Sequence, residues 1–172
     1  MWRRAIVLFP TFPNDRAIDI LRAKYDPLAR VVSPHITLVF PFASDIATDD
    51  LGDHVSTSLR SVEPFTLTLQ GFTGADNAYL FLNVKVGNDG IVRLHDRLYT
   101  RVLKPFLHRA VTYTPHLTIG RLDDRPTWDS ALGETHDWNE SFTTIIREVV
   151  VVQVEQPNES TTIEVRVPLD CH

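Results

Sequence analysis

One short motif occurs twice in this chain, and its two settings constrain the fold more than any bulk property does. Pro34-His35-Ile36-Thr37-Leu38 and Pro115-His116-Leu117-Thr118-Ile119 share one pattern and lie 81 positions apart. Side chains of an extended strand alternate between faces, so the histidine and threonine of each copy point the same way. Ile36 and Leu38, like Leu117 and Ile119, then point to the opposite side, where packing anchors the strand. Each copy therefore offers one imidazole and one hydroxyl on a supported surface.

The segments around the two copies recur in the same order. Arg4–Phe12 reads as a strand, and Asn14 is a plausible cap for a helix bearing Ile18, Leu21 and Tyr25, closed by Pro27. His35–Phe42 is a second strand. Thr48-Asp49-Asp50 opens a helix with Leu51, Val55, Leu59 and Val62 on one stripe, and Phe65–Phe72 alternates as a third strand. Tyr79–Val86 then begins a second round, with Leu80, Leu82 and Val84 alternating against Phe81 and Asn83. After a Gly87-Asn88-Asp89-Gly90 turn, Ile91–Leu107 reads as one amphipathic helix. Pro115–Leu122 is the motif-bearing strand, and 123–142 is polar and irregular, with room for a short helix. Thr143–Gln156 reads as one long strand, with Thr161–Val167 as its hairpin partner across Pro157-Asn158-Glu159.

This order predicts an α+β chain built from duplicated β-α-β-α-β units, in which the two motif strands face one another across a central cleft. The expected organisation is a single bilobal domain over 1–172, with half-repeats 1–75 and 76–156 and a hairpin arm 157–172. A length of 172 residues suits one domain of that kind. The longest apolar runs, Ile36–Ala43 and Val149–Val152, are too short to cross a bilayer, and the run near the N-terminus is interrupted by Pro10 and Pro13. No membrane association and no targeting signal are expected. Cys171 is the sole cysteine, which fits a reducing compartment, and a nucleophilic role so close to the terminus is not expected. The chain is expected to be cytoplasmic. Its net charge of −5 argues against a long nucleic acid, which calls for a basic footprint. An RNA terminus, a short oligonucleotide or a cyclic nucleotide is the nucleic-acid partner that this balance allows. No obligate protein partner is expected.

Two imidazoles and two hydroxyls around one space suit displacement at phosphorus. Such a step needs a base on the attacking oxygen and an acid on the leaving oxygen, and histidine serves as either near neutral pH. Threonine hydroxyls can donate to the non-bridging oxygens, where charge accumulates. His35 and His116 are thus the catalytic candidates, and Thr37 and Thr118 the phosphate-binding candidates. No metal or other cofactor is expected, since Asp, Glu and Cys are missing from the motifs at the usual ligand spacings.

The two His-x-Thr segments resemble the signature of the 2H phosphoesterase superfamily, which includes the LigT-type RNA 2',3'-cyclic phosphodiesterases, also called 2'-5' RNA ligases. Ile6-Val7-Leu8-Phe9-Pro10, Tyr25-Asp26-Pro27 and Leu98-Tyr99-Thr100 are most similar to the YjcG-type bacterial branch. The resemblance implies a bilobal LigT-like fold with antiparallel sheets lining the cleft. It also implies metal-independent opening of 2',3'-cyclic phosphates to 2'-phosphates, with His35 and His116 as the acid–base pair. ATP-independent 2'-5' joining of RNA ends is the alternative reaction. A catalytically weak module that binds nucleotides or RNA ends is the alternative to an enzyme. Arg121 resembles an arginine that follows the second motif in LigT-type members, and makes a substrate-binding candidate.

Phe9, Phe40, Tyr79 and Tyr113 sit on or beside the presumed cleft strands, where an aromatic ring could stack on a base. Of these, Tyr113 is the substrate-binding candidate. His54, His95, His108, His136 and His172 are read as surface or structural residues. Arg93, Arg97, Arg101 and Lys104 are read as a solvated helix face. Trp128 and Trp138 make the 123–142 segment a candidate lid.

Overall fold

A computed structural model describes residues 1–170; Cys171 and His172, and the expectations attached to them, lie outside the described residues. The strands are β1 (Trp2–Leu8), β2 (Ile36–Ser44), β3 (Phe65–Ala75), β4 (Tyr79–Val86), β5 (His116–Arg121), β6 (Ser141–Ile146), β7 (Glu148–Val154) and β8 (Thr161–Pro168). The helices are α1 (Arg16–Tyr25), α2 (Thr48–Ser58), α3 (Asn88–Leu98) and α4 (Arg125–Thr135). Two antiparallel four-stranded sheets result, one in the order β2-β1-β7-β8 and the other in the order β5-β4-β3-β6. The α+β class, with the antiparallel sheets that the resemblance implies, is what the chain adopts.

The sheets interlock. β3 follows the first motif in sequence yet joins the sheet of the second, and β7 follows the second motif yet joins the sheet of the first. The helices cross over in the same sense, with α1 packing on β5 and α3 on β2. The motif strands β2 and β5 are the outer strands of their sheets. Ile6, Leu8, Ile36 and Leu38 from one sheet and Leu80, Leu82, Leu117 and Ile119 from the other are fully buried in one core with Ile18, Leu21, Leu94 and Leu98 of the helices. Burying a side chain of this size contributes about 1.5–3 kcal/mol, so this apolar face fixes how each motif strand lies.

Several local expectations change. The stretch read as one strand from Thr143 to Gln156 breaks at Arg147, and its two parts serve different sheets. The amphipathic stretch from Ile91 to Leu107 is not one helix. α3 ends at Leu98, and a 3-10 turn covers Arg101–Phe106, in which Pro105 has no amide to donate. Gly87, at φ 97°, stands before α3, so Asn88-Asp89-Gly90 forms the first helical turn rather than a loop. Asn14 does not cap α1; its amide donates to Glu140 at 2.8 Å. Within the irregular segment, Asp124 accepts from the Thr127 amide at 2.8 Å and starts α4. No helix among the described residues is long and apolar enough to cross a membrane.

Candidate active site

The concave space between the sheets is a cavity of about 530 Å³. His35, Thr37, His116, Thr118 and Arg121 all line it, so the strands bring together five of the six residues singled out in the sequence. Its floor is apolar: Ala5 and Val7 of β1 and Val152 of β7 are buried on the cleft side of their sheet, with Phe9 and Val154 packed beside them. Phe40, Tyr79 and Phe81 add aromatic surface, and Asp76 and Glu159 bring two carboxylates to the wall.

The two histidines are held alike. His35 Nδ1 lies 2.9 Å from the Ser33 carbonyl oxygen, and His116 Nδ1 lies 2.7 Å from that of Thr114. A carbonyl only accepts, so each Nδ1 carries the proton it donates, and each neutral ring presents the Nε2 lone pair. Neither Nε2 and neither threonine hydroxyl has a protein partner among the described residues. Burial holds the His35 pKa below its ordinary value, and the Arg22 and Arg121 charges push the same way, against the Ser33 carbonyl and Asp26. Burial also lowers His116, with the Thr114 carbonyl opposing. Both imidazoles are thus biased towards the neutral, proton-accepting form. His116 lies flat on the Phe81 ring, 3.6 Å between centroids at 20°, whereas His35 meets Phe9 edge-on at 6.2 Å.

Register slips shape both strands. Beyond each threonine, two consecutive residues are buried, Leu38-Val39 on β2 and Ile119-Gly120 on β5, and the pairing with β1 or β4 shifts there. Strict alternation would turn Arg121 to the core with Leu117 and Ile119. The extra residue returns it to the cleft face, opposite Tyr79. Gly120 allows the close approach of α1 at the slip, where a Cβ would stand 3.0 Å from Tyr25 Cβ and press it aside. The Arg121 guanidinium is placed by carboxylates: Nε lies 3.6 Å from Asp26 Oδ1, and Nη1 lies 3.5 Å from Glu159 Oε2. Asp26 is itself buried, paired with Arg22 at 2.8 Å.

Tyr113 is the sixth candidate, and it does not line this cavity. Its hydroxyl donates instead to the Thr37 carbonyl at 2.8 Å, and its ring stacks on His95. No residue of 123–142 lines the cavity either. Trp128 packs over Gly74 and donates its indole N–H to the Tyr79 carbonyl at 3.0 Å, which fastens α4 to its sheet, and Trp138, in the segment after α4, lies against Phe72 of the same sheet. His54 and His95 are buried; His108 and His136 are exposed. Phe81, Asp26 and Glu159 are site residues that neither motif marks. The alternation of β4 against buried Leu80 and Leu82 is a usable signal for Phe81, whereas the carboxylates come from loops. No group of three His, Cys, Asp or Glu side chains among the described residues is arranged to hold a metal ion.

Comparison with known proteins accords with this geometry. Residues 10–158 match the family model for the 2'-5' RNA ligase superfamily. A Bacillus cereus (strain B4264) protein named "Putative phosphoesterase" is 31% identical over 122 residues, covering 67% of each chain. A Bacillus licheniformis protein of the same description is 26% identical over 121 residues, covering 67% of this chain and 69% of that one. Among solved structures, Escherichia coli LigT complexed with ATP superposes with a TM-score of 0.59 at 18% identity, covering 98% of both chains. TT0787 of Thermus thermophilus gives 0.62 at 17% identity, covering 97% of both. LigT has also been crystallised with 3'-AMP. These two likenesses show a shared fold.

Proposed function

Because the chain belongs to the 2'-5' RNA ligase superfamily, a group of phosphoesterases, we propose that it hydrolyses 2',3'-cyclic phosphates of RNA ends or nucleotides to 2'-phosphates, without a metal. The single observation that carries this reading is the pair of imidazoles on one cavity, each with Nδ1 committed to a carbonyl and Nε2 left for chemistry.

In the proposed reaction one neutral Nε2 takes a proton from water as its oxygen bonds to phosphorus. The bond from phosphorus to the 3'-oxygen breaks on the opposite side, and the second histidine, protonated, supplies the proton to that oxygen. A bound phosphodiester anion favours the protonated form of a nearby imidazole, which offsets the lowering by burial. Thr37 and Thr118 donate to the non-bridging oxygens, and Arg121 adds positive charge on the β5 side. The chain's own side chains thus supply base, acid and phosphate ligands. Nucleotide complexes of LigT support a substrate of nucleotide size, as do the aromatic walls of the cleft. The carboxylates of Asp76 and Glu159 disfavour a long polyanion there.

The test is turnover of 2',3'-cyclic nucleotides and cyclic-phosphate RNA ends by purified wild type, His35→Ala and His116→Ala. Each variant is expected to lose at least about a thousandfold in kcat, within the span of acid–base contributions. Near-wild-type rates in either variant would overturn the assignment. Measurable ligand binding without turnover by the wild type would favour the binding-module alternative.

A further inference from the structure

Strand β2 is the outer strand of its sheet, so part of its backbone faces away from β1 and needs other partners. Two of those groups meet tyrosine hydroxyls from the second half of the chain. Tyr113 donates to the Thr37 carbonyl at 2.8 Å, and the Phe40 amide donates to the Tyr99 hydroxyl at 3.0 Å. The two bonds bracket Leu38-Val39, where the pairing of β2 with β1 slips. Between the tyrosines lies the buried His95 ring, stacked on Tyr113 at 3.8 Å and 14°, and set edgewise to Tyr99 at 4.9 Å. Asp96 holds His95 Nδ1 at 3.0 Å.

Tyr113 also stands three residues before His116, and its neighbour Thr114 supplies the carbonyl that orients the His116 ring. One short segment therefore holds His116 through Thr114 and the Thr37 strand through Tyr113. We propose that Tyr113 is a positioning residue that ties the two motifs together and sets the span across which the phosphate is held, with Tyr99 securing the far end of the same segment. Burial raises the pKa of both tyrosines, so both hydroxyls keep their protons. The Tyr113 hydroxyl lies outside the cavity, and its action passes through the Thr37 backbone. No such clamp ties the outer edge of β5 among the described residues; there Tyr25 packs over Gly120 and its hydroxyl goes to Glu134.

This proposal rests on the phosphodiesterase reading for its kinetic consequence only. Tyr113→Phe removes one oxygen and keeps the stacked ring. The expected result is a fall of about 10- to 100-fold in kcat, with KM changed less than about threefold, as misplacement of reacting groups by fractions of an ångström produces. Tyr99→Phe is expected to give a smaller loss of the same kind, and serves as the readout should Tyr113→Phe fail to fold. A measurement that needs no turnover is the response of the His35 and His116 ring NMR signals to inorganic phosphate. In the wild type both rings should shift together with one dissociation constant, and in Tyr113→Phe that constant should rise and the bound-state shift of one ring should shrink relative to the other. Unchanged kcat together with unchanged coupled titration in the folded variant would overturn the clamp, as would independent responses in the wild type. Silence of the wild type towards all phosphodiesters, with coupled phosphate binding intact and lost in Tyr113→Phe, would count against the activity and leave the clamp standing.

Discussion

The two motif strands, β2 and β5, are alike up to their threonines and diverge immediately after. Both histidines donate Nδ1–H to the carbonyl two residues back, both threonines face the cleft, and both strands then bury two residues in succession. The next position on the cleft face is Phe40 on β2 and Arg121 on β5. At that position β2 therefore presents a ring, while β5 presents a guanidinium steadied by Asp26 and Glu159 and set opposite Tyr79. The repeated motif supplies a matched pair of imidazoles, and the departures from symmetry make the pair unequal. Burial lowers both histidines, but the Arg22, Arg121 and Asp26 charges act on His35 as well, whereas no charged side chain shifts His116, which lies on Phe81.

The likeness of the two strands is challenged most severely by removing either imidazole. If the two act as one unit, His35→Ala combined with His116→Ala should be little worse than either alone, each down about a thousandfold or more in kcat. Multiplicative losses would show separate roles. Removing a hydroxyl is milder: Thr37→Ala and Thr118→Ala should each cost about a hundredfold in kcat, the scale of a lost oxyanion donor. Near-equal losses would bear out the symmetric half of the comparison. The asymmetric half predicts about a tenfold loss of kcat/KM for Arg121→Gln, from weakened positive charge at one end of the cleft. Phe40→Leu should raise KM with little change in kcat, because an aromatic wall binds ground state and transition state alike.

The smallest predicted effect is a displacement along the pH axis. Both histidine pKa values are lowered, so the two limbs of the kcat/KM profile should fall below the ordinary histidine value of 6.5. A bound phosphate anion stabilises the imidazolium, so the kcat profile should lie at higher pH than the kcat/KM profile. Arg121→Gln removes a charge that lowers His35 and should raise one limb selectively. Equal movement of both limbs would contradict the inequality of the two histidines.

Much of the site is legible in the order of residues alone. Alternation places His35 with Thr37 and His116 with Thr118, and the apolar residues between them do lie in the core. It fails just beyond the second motif. It assigns Arg121 to the core side, and only the extra residue in β5 returns it to the cleft, a register event that no period of two contains. The exchange of β3 and β7 between sheets is hidden for another reason. Strand propensity is local, whereas the choice of partner depends on distant pairing, so Thr143–Gln156 reads as one strand although Arg147 divides it between two sheets. Tyr113 is legible as an aromatic residue near the cleft. Its hydrogen bond to an outer strand 76 residues away is not.

Whether two histidines do the chemistry without a metal is decided by the hydrolysis of a 2',3'-cyclic nucleotide by the wild-type protein with excess chelator, the product identified by ³¹P NMR. A 2'-phosphate should form at the same rate with and without chelator, and no product should form in the His35→Ala, His116→Ala double variant. A rate abolished by chelator, or product from the double variant, would contradict that chemistry.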